Sequence, residues 1–118
     1  MADSDGFLMT MSGLRYKILV PATKEPPAPT DTVTVHYRGW LDDGTEFDSS
    51  YSRNEPTSFP LNGVIAGWTE GLQLIGPGGT IELEIPPHLG YGEAGAGGVI
   101  PANATLHFHV ELLDAVSP

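Results

Sequence analysis

Val64-Ile65-Ala66-Gly67-Trp68-Thr69-Glu70-Gly71-Leu72-Gln73-Leu74-Ile75, followed by Gly76-Pro77-Gly78-Gly79, is the stretch on which the fold turns. Val64, Ile65, Trp68, Leu72 and Ile75 recur at spacings of one, three, four and three, the period of one helical face. The glycine–proline run ends it, so the spacing predicts one short amphipathic helix. The segments around it alternate instead. Val33, Val35 and Tyr37 lie opposite Thr34, His36 and Arg38, and Ile81, Leu83 and Ile85 lie opposite Glu82 and Glu84. Leu106, Phe108, Val110 and Leu112 lie opposite His107, His109 and Glu111. Leu14, Tyr16, Ile18 and Val20 share one face of a further strand. Strands with one apolar and one polar face belong to an antiparallel sheet that is wet on one side. Asp42-Asp43-Gly44 is a turn that folds Trp40-Leu41 back toward Glu46-Phe47. A lone amphipathic helix must bury its stripe, and the dry face of the sheet is the partner available. The expected fold class is therefore α+β: a curled antiparallel β-sheet, a half-barrel, wrapped around one short α-helix.

Composition agrees. Glycine (15) and proline (11) are abundant for 118 residues, which fits short strands and tight turns better than a helical bundle. The length sets one domain, and 40% apolar residues suffice for a core. We expect a flexible or loosely docked arm over residues 1–12 and the folded domain over 13–118. Pro21 to Pro29, with four prolines, reads as a surface loop. Leu89 to Ala102, with five glycines, reads as a mobile loop of the kind that carries function.

Charge and residue usage exclude several classes. Five basic residues against 15 acidic ones leave a net charge of −10, so neither a nucleic-acid surface nor an anionic membrane surface is expected. The acidity itself reads as solubility. With no cysteine there is no disulfide, no thiolate metal site and no thiol nucleophile. No apolar run approaches the roughly 20 residues of a membrane-spanning helix. Asp3 and Asp5 stand where a signal peptide carries basic residues. The chain as written is expected in the cytoplasm, or in the periplasm or outside the cell if a leader has been removed. It is expected to be a monomer.

Neither a nucleophile elbow nor a phosphate-binding glycine loop is present. His36, His107 and His109 fall on polar strand faces and would converge if strands 33–38 and 104–113 were neighbours. We read them as outer-face histidines beside Glu82, Glu84 and Glu111, with no metal and no cofactor. The aromatics Tyr37, Phe47, Trp68, Tyr91 and Phe108 come from separate elements. Ordinary core packing accounts for any one of them. Trp68, at the start of the helix beside Val64 and Ile65, is placed to be a floor rather than filler. Asp48 directly follows Phe47 and is costly if buried alone, but Arg53 lies close enough in sequence to pair with it.

Taken in order, the blocks Val33-Thr-Val-His-Tyr37-Arg-Gly, Asp43-Gly-Thr-Glu-Phe47-Asp48-Ser-Ser, Val64-Ile65-Ala-Gly-Trp68-Thr-Glu-Gly-Leu72, Gly90-Tyr91-Gly92, Ile100-Pro101 and Ala104-Thr-Leu-His-Phe108-His-Val-Glu-Leu-Leu113 resemble the FKBP-type peptidyl-prolyl cis-trans isomerases. The resemblance runs from Gly13 to Leu113, and Tyr51-Ser-Arg53-Asn-Glu-Pro56 is worded as in bacterial members such as macrophage-infectivity-potentiator domains. It implies the curled sheet around a short helix and a rotamase activity on Xaa–Pro bonds that needs no cofactor. The implied site is a proline pocket with Trp68 as floor and Tyr37, Phe47, Val64, Ile65 and Phe108 as walls. Val99 and Ile100 would line the rim. The Ile65 N–H and the Tyr91 phenol would hold substrate carbonyls. Asp48, held by Tyr37 and Arg53, would face the carbonyl before proline. The implied partners are proline-containing unfolded or flexible polypeptides, in a folding-helper role, and macrolide inhibitors of the rapamycin kind.

Some positions depart from the family pattern. Ala96 stands where many relatives have histidine, Thr57 stands where many have an aromatic, and Leu61–Val64 is shorter than in small eukaryotic members. Tyr91–Ile100 has no room for an inserted chaperone domain, and Asp114–Pro118 holds no histidine. Two classes stand at this point, an isomerase and a proline-peptide binding module. Asp48, Tyr91 and the full aromatic set favour the isomerase.

Overall fold

The computed structural model describes residues 6–118; the first part of the expected arm, residues 1–5, lies outside them. Seven strands form one antiparallel sheet: β1 (Leu8–Met9), β2 (Arg15–Val20), β3 (Thr32–Trp40), β4 (Glu46–Ser49), β5 (Thr57–Pro60), β6 (Thr80–Ile85) and β7 (Leu106–Val116). Their order is β1-β2-β6-β7-β3-β4, with β5 also on β3. Among the described residues there is one α-helix, α1 (Ala66–Gly71), which continues as a 3-10 turn over Leu72–Leu74. The sheet curls around it as the sequence predicts.

The three alternating segments become the three central strands. Ile81 pairs with Val110, Leu83 with Phe108 and Ile85 with Leu106, while Val35 pairs with Leu112 and Tyr37 with Val110. Inward-facing residues therefore meet inward-facing residues across both of these ladders. All of them are buried. Gly44, at φ 88°, closes the β3–β4 turn as expected, with the Thr45 N–H donating to Asp43 Oδ1 at 2.9 Å.

One edge of β3 is covered by β7 along its length. Its other edge is shared, with β5 pairing from Thr32 to Val35 and β4 from Arg38 to Trp40. Between β4 and β5 the chain leaves the sheet over residues 50–56. Tyr37 sits at that gap, where its carbonyl accepts the Ser50 N–H at 2.9 Å. The gap is what allows a side chain from the 50–56 excursion to reach Tyr37.

The helix differs from its prediction in detail. Val64 and Ile65 precede it and are half-buried, whereas Trp68, Leu72 and Ile75 are buried as expected. Its closest approach to the sheet is made by glycines. A Cβ on Gly67 would lie 2.7 Å from Ile85 Cγ2, and one on Gly71 would lie 2.6 Å from Leu83 Cδ2. These glycines are four apart on one helical face and let the backbone settle on β6.

Strand β2 also departs from the simple alternation. Leu14 is fully buried just ahead of it, but Ile18 and Val20 are 41% and 47% exposed. The register shifts between those two residues, and β2 lies near the sheet edge. A helix of six residues, about 9 Å long, is too short to roof that end. The described part of the arm is tied on, because Leu8 pairs with Tyr16 and Met9 with Arg15. The glycine-rich loop is bonded within itself. Ile100 N–H donates to Ala96 O at 3.0 Å and Asn103 N–H to Gly92 O at 2.8 Å, with Gly92, Gly95, Gly97 and Gly98 at positive φ. Among the described residues no helix is long and apolar enough to cross a membrane.

Candidate functional site

Between the inner face of the sheet, the start of α1 and the 90–100 loop lies a cleft of about 690 Å³. Its floor is the indole of Trp68, only 3% exposed. Tyr37, Phe108 and Phe59 meet that indole at centroid distances of 5.2, 5.2 and 5.7 Å and interplanar angles of 87°, 85° and 86°. Every wall ring thus presents an edge-to-face contact, the arrangement that ring quadrupoles favour. Phe47 completes the wall, edge-on to Phe108 at 5.4 Å. This packing depends on Gly39, where a Cβ would lie 2.6 Å from Phe47 Cζ and 2.8 Å from Phe108 Cε1. Among the described residues, the Trp68 indole N–H is the buried side-chain polar group without a hydrogen-bond partner.

The mouth carries the polar groups. Tyr37 donates its hydroxyl to Asp48 Oδ2, and Arg53 Nη1 donates to Asp48 Oδ1 at 2.6 Å. Arg53 Nη2 also reaches the Tyr37 hydroxyl at 3.2 Å, and its guanidinium lies 5.8 Å from the Tyr37 ring centroid. Burial pushes the Asp48 carboxyl up, but the hydrogen bonds from Tyr37 and Arg53 outweigh it and leave the group below the ordinary aspartate range. Burial and the Asp48 hydrogen bond push the Tyr37 phenol up, so it stays a donor. The result is a fixed negative charge at the edge of an apolar cavity.

The remaining rim comes from two turns. Val64 and Ile65 line one side, and Tyr91, Val99 and Ile100 line the other. Trp68 and Thr69 N–H both close on the Ile65 carbonyl, at 3.0 and 3.1 Å, which makes Ile65 the residue that opens the helix. Its own N–H precedes the intrahelical ladder. Tyr91 is 41% exposed, and its hydroxyl makes no hydrogen bond among the described residues. Every residue named from the sequence lines the cleft except Arg53, which braces it from behind Asp48. Sequence reasoning missed Phe59 as a wall, together with Gly63 and Gly97, and gave Ala96 only as a departure from the family pattern. The signal for Phe59 was its alternation with Ser58 and Pro60, too short a run in β5 to stand out.

The histidines lie on the opposite face. Strands β3 and β7 are neighbours, so the condition for convergence holds, yet each ring has its own partner. His36 Nδ1 is 2.8 Å from Ser50 Oγ, His107 Nε2 is 2.6 Å from Asp42 Oδ1, and His109 Nδ1 is 3.4 Å from Glu82 Oε2. Among the described residues no group of three or more His, Cys, Asp or Glu is placed to hold a metal.

Comparison with known proteins gives one consistent result. The family described as FKBP-type peptidyl-prolyl cis-trans isomerase matches residues 23–113. The chain is 54% identical over 113 residues to the FKBP-type peptidyl-prolyl cis-trans isomerase FkpA of Escherichia coli K12, covering 96% of this chain and 42% of that protein. It is 51% identical over 113 residues to the FKBP-type 22 kDa peptidyl-prolyl cis-trans isomerase of the same strain, covering 96% and 55%. The crystal structure of FkpA from Escherichia coli superposes with a TM-score of 0.94 at 51% identity, covering 98% of this chain and 54% of that one. The crystal structure of AtFKBP13 superposes at 0.84 with 34% identity, covering 92% and 97%. The chain thus spans about half the length of the curated relatives it matches.

Proposed function

The chain belongs to the FKBP-type peptidyl-prolyl cis-trans isomerases, and we propose that it accelerates rotation about Xaa–Pro bonds in unfolded or flexible polypeptides by holding the proline ring against Trp68. An unaided Xaa–Pro bond takes tens to hundreds of seconds to rotate, over a barrier of about 20 kcal/mol. That barrier is lost amide resonance. Catalysis must therefore favour the twisted amide, and it requires no enzyme nucleophile. A twisted amide carries less charge separation than a planar one, so an apolar cleft disfavours it less than it disfavours the ground state.

The observation that carries this reading is the aromatic box on a buried indole, open on one side to the charge of Asp48. In the proposed scheme the proline ring lies on Trp68 between Tyr37, Phe59 and Phe108. The Ile65 N–H and the Tyr91 hydroxyl hold the carbonyls flanking the rotating bond. Asp48, kept ionised and immobile by Tyr37 and Arg53, stabilises the carbonyl-carbon end of the twisted dipole. Val64, Val99 and Ile100 exclude water from the rim. A volume of about 690 Å³ is that of a small-molecule site, which supports binding of rapamycin-like macrolides. A protease-free isomerisation assay on a short Xaa–Pro peptide tests the activity. Accelerated exchange is the expected result, and peptide binding without acceleration would leave a binding module.

A further inference from the structure

A second hollow of about 530 Å³ lies against the outer side of α1, and Val64 lines both it and the aromatic cleft. The two therefore adjoin at Val64. Ala66 and Leu89 supply further apolar lining, and Asn62, Thr69, Glu70 and Gln73 supply polar groups. Several donors there are already engaged. The Thr69 hydroxyl donates to Leu61 O at 2.7 Å, and Gln73 Nε2 donates to Thr69 O at 2.7 Å. Glu70 is the charged residue of the lining. It accepts the Ser12 hydroxyl at Oε1 and forms no ion pair among the described residues. Apart from the Asn62 amide and the second N–H of Gln73, the side-chain groups left over are acceptors, with the Glu70 carboxylate among them, on a half-apolar floor; a carboxylate beside apolar lining suits the methylene stem and charged head of lysine or arginine.

We propose that this hollow is a subsite for the polypeptide flanking the proline, selecting a lysine or arginine side chain there through Glu70. The inference rests on the isomerase reading, because the occupant is the substrate held in the cleft. A chain anchored at the Ile65 N–H and leaving past Val64 crosses a helix about 10 Å wide. Extended chain covers that in about three residues. The selected cation is thus expected two to four residues from the proline, on the side that leaves past Ile65.

The test compares proline peptides of eight or more residues carrying lysine, alanine or glutamate at successive positions on each side. Their KM and kcat are measured with the wild-type domain, Glu70→Gln and Glu70→Lys. Glu70→Gln keeps a side chain able to accept the Ser12 hydroxyl. With wild type, lysine at the favoured position is expected to lower KM about two- to fivefold relative to alanine, with kcat unchanged. That preference should vanish in Glu70→Gln and pass to the glutamate peptide in Glu70→Lys. Retention of the lysine preference in Glu70→Gln would overturn the subsite, because the overall charge of the domain would then be responsible. A tetrapeptide with no charged side chain serves as the reference and should be turned over equally by all three proteins. If the wild-type domain failed to turn over the tetrapeptide, the isomerase reading would fall, and this inference with it.

Discussion

At the residue scale, Asp48 and Tyr91 divide the polar work of the cleft differently. Asp48 has both oxygens engaged, whereas the Tyr91 hydroxyl stands free at the rim. Tyr91→Phe removes one neutral hydrogen bond worth about 0.5–1.5 kcal/mol. The expected loss is about two- to tenfold in kcat/KM with melting temperature unchanged. Asp48→Ala is expected to cost at least as much, since it removes a charge next to an apolar cavity. Wild-type turnover in both variants, with stability lost instead, would make these residues structural. The pH dependence follows from the sign of the shift. Asp48 sits below the ordinary aspartate range, so what it contributes is complete above about pH 4 and is lost only as pH falls through its own lower value. The ratio of wild-type to Asp48→Asn activity should therefore be flat from about pH 5 to pH 8. The Tyr37 phenol is raised, so its donor role persists past about pH 10 and is lost only above that. A titration of that ratio showing a step near neutrality would contradict this assignment.

At the scale of elements, the contacts that hold the site are made where side chains are missing. Gly67→Ala and Gly71→Ala would each place a methyl under 3 Å from a β6 side chain. Alanine gains about 1 kcal/mol of helix propensity over glycine, but overpacking costs about 1–3 kcal/mol. A net loss of stability is expected, visible as a lower midpoint in urea, with the double variant worse than either single one. Gly39→Ala is expected to act differently, because it spreads Phe47 and Phe108 apart. Its mark should be a raised KM, read by the same peptide assay. These glycines also mark the limit of what sequence pattern reveals. The alternation of Val33–Val35–Tyr37 and of Leu106–Phe108–Val110–Leu112 is legible because a strand with one dry face has period two. The gathering of Trp68, Tyr37 and Phe108 is not, since it depends on register between strands far apart in sequence. Nor is the exposure of Ile18 and Val20, whose alternation matches a buried strand but whose place near the sheet edge denies them cover. The motif blocks supplied the cleft residues that periodicity alone left as ordinary core, but Phe59 escaped both.

At the scale of the whole molecule, the sheet, helix and loop meet at a single cleft, so occupying it couples to global stability. A ligand that binds the native state and not the unfolded chain stabilises by the ratio of its concentration to its dissociation constant, about 2.7 kcal/mol at a hundredfold excess. For a domain of 118 residues that is a rise in melting temperature on the order of 10 °C. Rapamycin is the probe for which the apolar cleft and the family membership argue together. The optical signal is separable, because Trp68 lies on the cleft floor while Trp40 stacks on His107 at 5.8 Å on the other face of the sheet. Trp40→Phe should therefore keep both the thermal shift and the fluorescence change, and remove only background emission. Trp68→Phe should keep the fold, since the indole N–H it removes has no protein partner to lose, but should weaken macrolide binding through the lost ring area. Sedimentation at the same concentrations should give one chain per particle with and without ligand. Absence of both the thermal shift and the Trp68 signal at micromolar protein would mean that the cleft does not accept the macrolide as it stands, and that the aromatic box is core packing with an open side.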